Sequence, residues 1–192
     1  MEKGDLVGVI GNNGAGKSTL LRIIAGVLPQ DVGRLEVNGR LTSLLQAGAG
    51  FQVQLTGREN VFLSGCLMGY SRKQIKALFP RIVAFAELED FIESPVRYYS
   101  TGMRTRLGFS LAVHLDPNIL IVDEVIRTGD KNFRKKSQEK MIDLLGRADA
   151  IILASHDTGF ITELCNKVLW LERGRVREFG PAAQVVESYL CS

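Results

Sequence analysis

Long apolar runs are missing from this sequence. Its apolar stretches, such as Ile119 to Val122 and Ala150 to Ala154, are strand-sized, far short of the ~18 residues that carry a helix across a bilayer. The N-terminus, Met1-Glu2-Lys3-Gly4-Asp5, lacks a basic segment followed by an apolar one, so no secretory leader is expected. Cysteine is scarce: Cys66, Cys165 and Cys191 are odd in number and far apart. That fits neither a disulfide framework nor a zinc spacing, and they read as reduced, incidental thiols of a cytosolic protein. Neither sign of charge is in large excess, with 24 Lys and Arg against 21 Asp and Glu, a net of +3. So weak a balance does not argue for a nucleic-acid partner, and none is expected. Internal repeats and low-complexity linkers are also missing. What remains is 192 residues of ordinary globular composition, 45% hydrophobic and 23% charged, enough for one full domain with a small insertion.

Leu6 to Ile10 is a short apolar run before a glycine-rich loop and reads as a buried parallel strand. Ser18 to Ala25 follows as a helix, ended by Gly26 and Pro29. Arg34 to Val37 and Arg40 to Leu45 are strand-like, with the hairpin dipeptide Asn38-Gly39 between them. From Thr56 to His114 the spacing turns helical, over Arg58 to Met68, Ser71 to Ala84 and Gly102 to His114. Strands then resume and alternate with helices: strand Ile119 to Val122, helix Asn132 to Leu145, strand Ala150 to Ala154, helix Thr158 to Cys165 and strand Lys167 to Leu171. A turn at Arg173-Gly174, strand Arg175 to Phe179 and helix Pro181 to Leu190 close the chain. The alternation predicts a mostly parallel α/β sheet covered on both faces. The expected division is a core of 1–55 and 115–192 with an inserted helical subdomain, 56–114. Trp170, Phe79, Phe85 and Phe91 read as packing, His114 takes no role, and Lys131, Arg134, Lys135 and Lys136 read as a solvated helix face.

Gly11-Asn12-Asn13-Gly14-Ala15-Gly16-Lys17-Ser18 matches G-x-x-x-x-G-K-[ST] between a strand and a helix. Glycines let the backbone wrap so that several N–H groups point at phosphate oxygens, and the helix that follows adds the positive end of its dipole. Lys17 supplies a charge for the β- and γ-phosphates, Ser18 a hydroxyl for Mg²⁺, and Thr19 completes the nucleotide-binding stretch. Ile119 to Val122 runs into Asp123-Glu124, and ligands of open α/β sheets lie at the carboxyl ends of strands. Asp123 is therefore expected near the metal and Glu124 as the group that polarises an attacking water.

Further segments, in order, make the chain resemble an ABC-type ATPase: a P-loop NTPase of the RecA-like kind with an inserted α-helical subdomain and a reduced antiparallel β-subdomain. Ser100-Thr101-Gly102-Met103 stands where that family has its signature loop, matching at Ser100 and Gly102 and departing at Thr101 and Met103. Gly129-Asp130 resembles the loop that crosses the dimer interface, preceded here by Arg127-Thr128 rather than the expected small apolar pair. Ser155-His156-Asp157 resembles the segment of the γ-phosphate-sensing switch histidine. The glutamine that links metal site to membrane partner is expected at Gln46, with Gln52 the alternative. The text Leu44 to Phe51, Leu55-Thr56-Gly57-Arg58-Glu59-Asn60, Tyr99 to Arg104, Ala154 to Asp157 and Leu169 to Arg175 is similar to the subfamily that exports O-antigen lipopolysaccharide, capsule and teichoic-acid chains.

The resemblance implies ATP and Mg²⁺ as bound species and a head-to-tail dimer of two copies. Each ATP would be shared between the Gly11 to Ser18 loop of one copy and the Ser100 to Met103 loop of the other. It also implies a separate polytopic permease and a peripheral position on the cytoplasmic face of the plasma membrane. Only ten residues precede Gly11, and none is aromatic, so the family's adenine-stacking residue has no counterpart there. The expectation is an N-terminally shortened form that binds ATP roughly 5- to 150-fold more weakly. Two other readings stay open: a soluble ABC ATPase outside transport, and a weakly active regulatory subunit.

Overall fold

The computed structural model describes residues 1–44, 48, 50–115, 117–122 and 131–192, the side chains of Lys131, Asn132, Arg134 and Gln138 excepted. Its strands are β1 (Leu6–Ile10), β2 (Leu41–Ser43), β3 (Ile119–Val122), β4 (Ala150–Ala154), β5 (Lys167–Glu172) and β6 (Arg175–Pro181). Its helices are α1 (Lys17–Ile24), α2 (Gly57–Leu67), α3 (Arg72–Ala86), α4 (Thr101–His114), α5 (Lys131–Leu145), α6 (Thr158–Leu164) and α7 (Ala182–Leu190). Together they form two compact units. One comprises Met1–Leu41, Pro117–Val125 and Ala148–Ser192, the other Thr42–Asp116 and Ile126–Arg147.

The first unit is built on the strands β3-β4-β1-β5-β6, neighbours in that order. β4 is buried along its whole length, and β1 and β3 at every residue but the first, as expected of strands covered on both faces. β1 pairs in parallel with β4 and β5, and β3 with β4, while β5 and β6 are antiparallel. Glu172 pairs with Arg175 across the Arg173-Gly174 turn, where both central residues have positive φ, 49° and 77°. That is the geometry whose twist matches a two-residue hairpin. Gly8 lets α6 lie close on β1, since a β-carbon there would fall 2.7 Å from Ile161 Cγ2. Asp5 fixes the entry to β1: its buried carboxylate accepts from the Glu2 N–H at 2.7 Å and pairs with Lys167 at the start of β5.

The strand expected at Arg34 to Val37 does not form, and with it goes the Asn38-Gly39 hairpin. Gly39 has the positive φ such a turn needs, but a strand exists only through its ladder. No described strand lies beside this run, and Val32, Leu35 and Val37 are exposed. Of the second run only Leu41–Ser43 is a strand, and Leu45 lies outside the described residues.

The second unit is helical. Capping boxes start α2 at Thr56 with Glu59 and α3 at Ser71 with Gln74, each satisfying amides that a helix end leaves unpaired. Val61, Ile75, Ile82, Leu107 and Leu111 form the centre of its core, and Gly65 lets α2 approach Ile75 closely. α5 joins this unit through Phe133, which is 2% exposed and edge-on to Phe85 and Phe109 at 5.7 and 6.0 Å. Two expectations are corrected here. Phe91 is exposed, because it follows α3 in a turn and its carbonyl, not its ring, is used. Lys136 is not simply solvated. It bonds the Phe85 carbonyl at 3.1 Å and pairs with Glu87, the left-handed residue that ends α3.

Candidate functional site

β1 lies between β4 and β5, so the loop leaving its carboxyl end opens at the middle of the sheet. Gly11 has φ 146°, and a β-carbon there would fall 2.2 Å from the Leu171 carbonyl oxygen, so only glycine lets the loop leave β1 against β5. Gly14 and Gly16 also have positive φ, 81° and 104°. Inside the loop the Ala15 N–H donates to the Asn12 carbonyl, and the Gly174 N–H donates to the Ala15 carbonyl at 2.9 Å. The β5–β6 turn thus holds the loop from outside.

Lys17 folds back over the loop. Its ammonium donates to the Gly11 carbonyl at 2.6 Å and the Asn12 carbonyl at 3.2 Å. Gly16 caps α1 with no side-chain hydrogen bond, and no acidic residue stands in the first turn. The positive end of the helix therefore faces outward with Lys17 inside the curve and Ser18 and Thr19 exposed. This is an arrangement for an anion. The loop keeps Asn12, Asn13 and Gly14 exposed as well.

His156 stands at the same end of the sheet. Val9 is the register partner of Ala154, and Gly11 and His156 each lie two residues further on. His156 is exposed, while Asp157 beside it caps α6 through the Phe160 N–H and donates its own N–H to Ser155 Oγ. β3 ends at Val122, paired with Leu153. Asp123, Glu124 and Asp130 lie outside the described residues, as does Gln46. Gln52 is described and exposed, its backbone held by Asn60.

In the second unit Ser100 caps α4, accepting from the Met103 N–H at 3.1 Å. Ser100, Thr101 and Gly102 are exposed, and α4 has no acid in its first turn. The helix end thus offers a hydroxyl and backbone amides to an outside anion.

Two residues here carry more than their sequence showed. Asn60 is fully buried. Its amide donates to the carbonyls of Gln52, Leu55 and Thr56 and accepts from the Gln52 N–H. Tyr99, just before Ser100, is 3% exposed and donates to the Phe91 carbonyl at 2.7 Å. Burial, with the Glu93 charge second, pushes its phenol up to about 12. Gly57 packs directly on the Tyr99 oxygen. Leu55 to Asn60 and Tyr99 to Arg104 are therefore one clamp that sets where α4 begins. The capping pattern Thr56-x-x-Glu59 was visible in the sequence, but the buried amide after it was not distinguishable from an exposed one.

A mostly parallel sheet whose central strand runs through a G-x-x-x-x-G-K-S loop into a helix with no side-chain cap defines a P-loop nucleotide-binding protein. A model of the ABC transporter family matches residues 1–127, and the chain belongs to that family. It is 44% identical over 187 residues to the O-antigen export system ATP-binding protein RfbB of Myxococcus xanthus, covering 97% of this chain and 43% of that one. It is 46% identical over 186 residues to the teichoic acids export ATP-binding protein TagH of Lactococcus lactis subsp. lactis (strain IL1403), covering 97% and 40%. The chain therefore spans less than half the length of these two relatives. A solved structure described as the ATP binding subunit of an ABC transporter matches with a TM-score of 0.79 at 24% identity, over 98% of this chain and 83% of that one, and shows the same fold.

Proposed function

We propose that this chain binds and hydrolyses ATP and drives export of a cell-surface polysaccharide through a separate membrane-spanning subunit. The observation that carries the nucleotide reading is the Gly11 to Ser18 loop, with Lys17 held inside it by two backbone carbonyls. Those carbonyls are neutral acceptors, and phosphate oxygens are charged ones, so the ammonium gains by exchanging one for the other. The relatives' names, O-antigen export and teichoic acids export, support the polysaccharide part. No helix among the described residues is long and apolar enough to cross a membrane; in this reading the chain is a peripheral subunit working beside a permease at the cytoplasmic face.

In this reading Gly11 to Thr19 hold the triphosphate. Glu124 orients the attacking water and His156, at the same end of the sheet, contacts the γ-phosphate. Ser100 and Gly102 at the start of α4 offer a second half-cradle to the ATP of a second copy, and Asp130 meets that copy. Mg²⁺, when bound with the nucleotide, neutralises charge on the β- and γ-phosphates. The exposed Ser18 hydroxyl, with Asp123 and Gln46 or Gln52, would be its protein ligands, phosphate oxygens and water supplying the rest. The functional division proposed with it is a phosphate-loop core, 1–55 and 115–192, and a helical signature subdomain, 56–114.

The test is Mg²⁺-dependent ATP hydrolysis by the chain beside Glu124→Gln. Turnover should fall by about 10²-fold or more, while ATP binding and ATP-dependent dimerisation persist. Equal turnover in both would remove Glu124 from the mechanism. Co-purification with ribosomes or DNA, and with no polytopic membrane protein, would overturn the transport reading.

A further inference from the structure

A cavity of about 270 Å³ lies on the outer side of the phosphate loop, between Asn12 and Asn13, Trp170 and Arg173 of the β5 end, and Tyr189 of α7. Across it the Tyr189 hydroxyl donates to Asn12 Oδ1 at 3.2 Å. The Tyr189 ring stands edge-on to Trp170, with centroids 5.4 Å apart and planes at 79°. Trp170 is 5% exposed and is the register partner of Ile10, the last residue before the loop. α7 itself is anchored by buried Ala182, Val185 and Val186.

Asn12 is thus held at both ends. Its side chain is tied to α7, and its backbone carbonyl accepts from the Lys17 ammonium and the Ala15 N–H. It is one of the points at which the cage around Lys17 is fastened to the rest of the first unit, beside the Gly174 N–H on the Ala15 carbonyl. We propose that Tyr189 is a positioning residue for nucleotide binding: by tethering Asn12 it holds the phosphate loop in its binding curve. The inference rests on the nucleotide reading of that loop and deepens it. Tyr189 touches no reacting atom, so it acts on the affinity of the loop for phosphates and not on the hydrolytic step.

Tyr189→Phe removes the hydroxyl and keeps the ring against Trp170. Loss of one such hydrogen bond should weaken binding of both ATP and ADP about 3- to 10-fold. KM should rise by the same factor with kcat unchanged, a split that general loosening of the fold would not produce. Trp170 is the sole tryptophan, so its emission without nucleotide should match the parent's and shows that the aromatic pair is intact. In an Asn12→Ala background Tyr189→Phe should have no further effect. The inference is overturned if Tyr189→Phe changes ATP affinity by less than twofold, or if its effect persists undiminished in Asn12→Ala. It is also overturned if kcat falls while KM stays. Lys17→Ala separates the two failures: a parent that does not bind ATP, or a Lys17→Ala variant that binds as the parent does, defeats the nucleotide reading and this inference with it. Normal ATP binding by the parent, lost in Lys17→Ala and unmoved in Tyr189→Phe, defeats the inference alone.

Discussion

Gly57→Ala puts the clamp at the start of α4 under a defined load. A methyl group at Gly57 would stand 2.2 Å from the Tyr99 hydroxyl oxygen, 2.9 Å from Ile92 Cδ1 and 3.1 Å from the Ile92 carbonyl oxygen. The Ile92 side chain can rotate by a few tenths of an ångström, but the Tyr99 oxygen cannot retreat without leaving the Phe91 carbonyl it bonds at 2.7 Å. Overpacking of a filled site costs about 1–3 kcal/mol, and a buried hydroxyl left without its partner about 1–3 kcal/mol more. Alanine is the better helix former, which returns about 0.5–1 kcal/mol. The sterics win, and the expected net loss is about 1–5 kcal/mol, centred on ~3.

The reasoning is specific because the offending atom is one oxygen. Tyr99→Phe deletes it, at a cost of about 0.5–1.5 kcal/mol on its own for the lost bond. Combined with Gly57→Ala it should be less damaging than the sum, with a coupling of about 1–2 kcal/mol. Urea unfolding followed by far-UV circular dichroism is weighted toward the second unit, which holds the longer helices α2 to α5, while Trp170 emission reads the first. The loss should appear in the former. A Gly57→Ala variant as stable as the parent would refute the steric argument, and strict additivity in the double variant would show that Tyr99 is not the atom met.

Two further outcomes follow from buried polar groups. Asn60→Ala strips the partners from the Gln52 N–H and from carbonyls of Gln52, Leu55 and Thr56. It should cost about 2–4 kcal/mol in the same urea titration, and an unchanged midpoint would show those groups to be hydrated without it. Asp5 is held below the usual carboxylate range chiefly by the Lys167 hydrogen bond, with the Glu2 N–H second. Its contribution is present in full above the unfolded value of about 3.9 and is lost as pH falls through the lower folded value. Asp5→Asn should therefore be less stable than the parent at neutral pH and converge with it in acid. A difference that grew as pH fell would reverse the sign and sink the assignment.

How much of this could be read from the chain follows from the range over which each feature is specified. The sheet strands, the helices and the phosphate loop are local patterns: an apolar run buried on both faces, a repeat near 3.6, and glycines where φ must be positive. Leu6–Ile10, Ile119–Val122 and Ala150–Ala154 came out at the residues expected, and the helices within one or two. Arg34 to Val37 shows the limit. Its residue types suit a strand, but strand formation is decided by a neighbour that no local window contains. Val32, Leu35 and Val37 stay exposed instead. Asp123, Glu124, Gln46 and Asp130, expected to bear on metal, water and the second copy, lie outside the described residues and rest on their motifs.

The clamp and the tether were illegible for a different reason. Asn60 and Tyr99 are far apart in sequence, and Tyr189 lies 177 positions from Asn12. Nothing in the neighbours of a lone Asn or Tyr says which carbonyl its polar atom will meet. What the sequence did carry was text around these residues that resembled one subfamily without a chemical reason. In the structure Leu55 to Asn60 and Tyr99 to Arg104 touch, through Gly57 on the Tyr99 oxygen. The two stretches are thus tied by packing and not by shared chemistry. A substitution at Gly57 or Asn60 should therefore disturb the start of α4 while leaving Ser100 and Gly102 themselves unchanged.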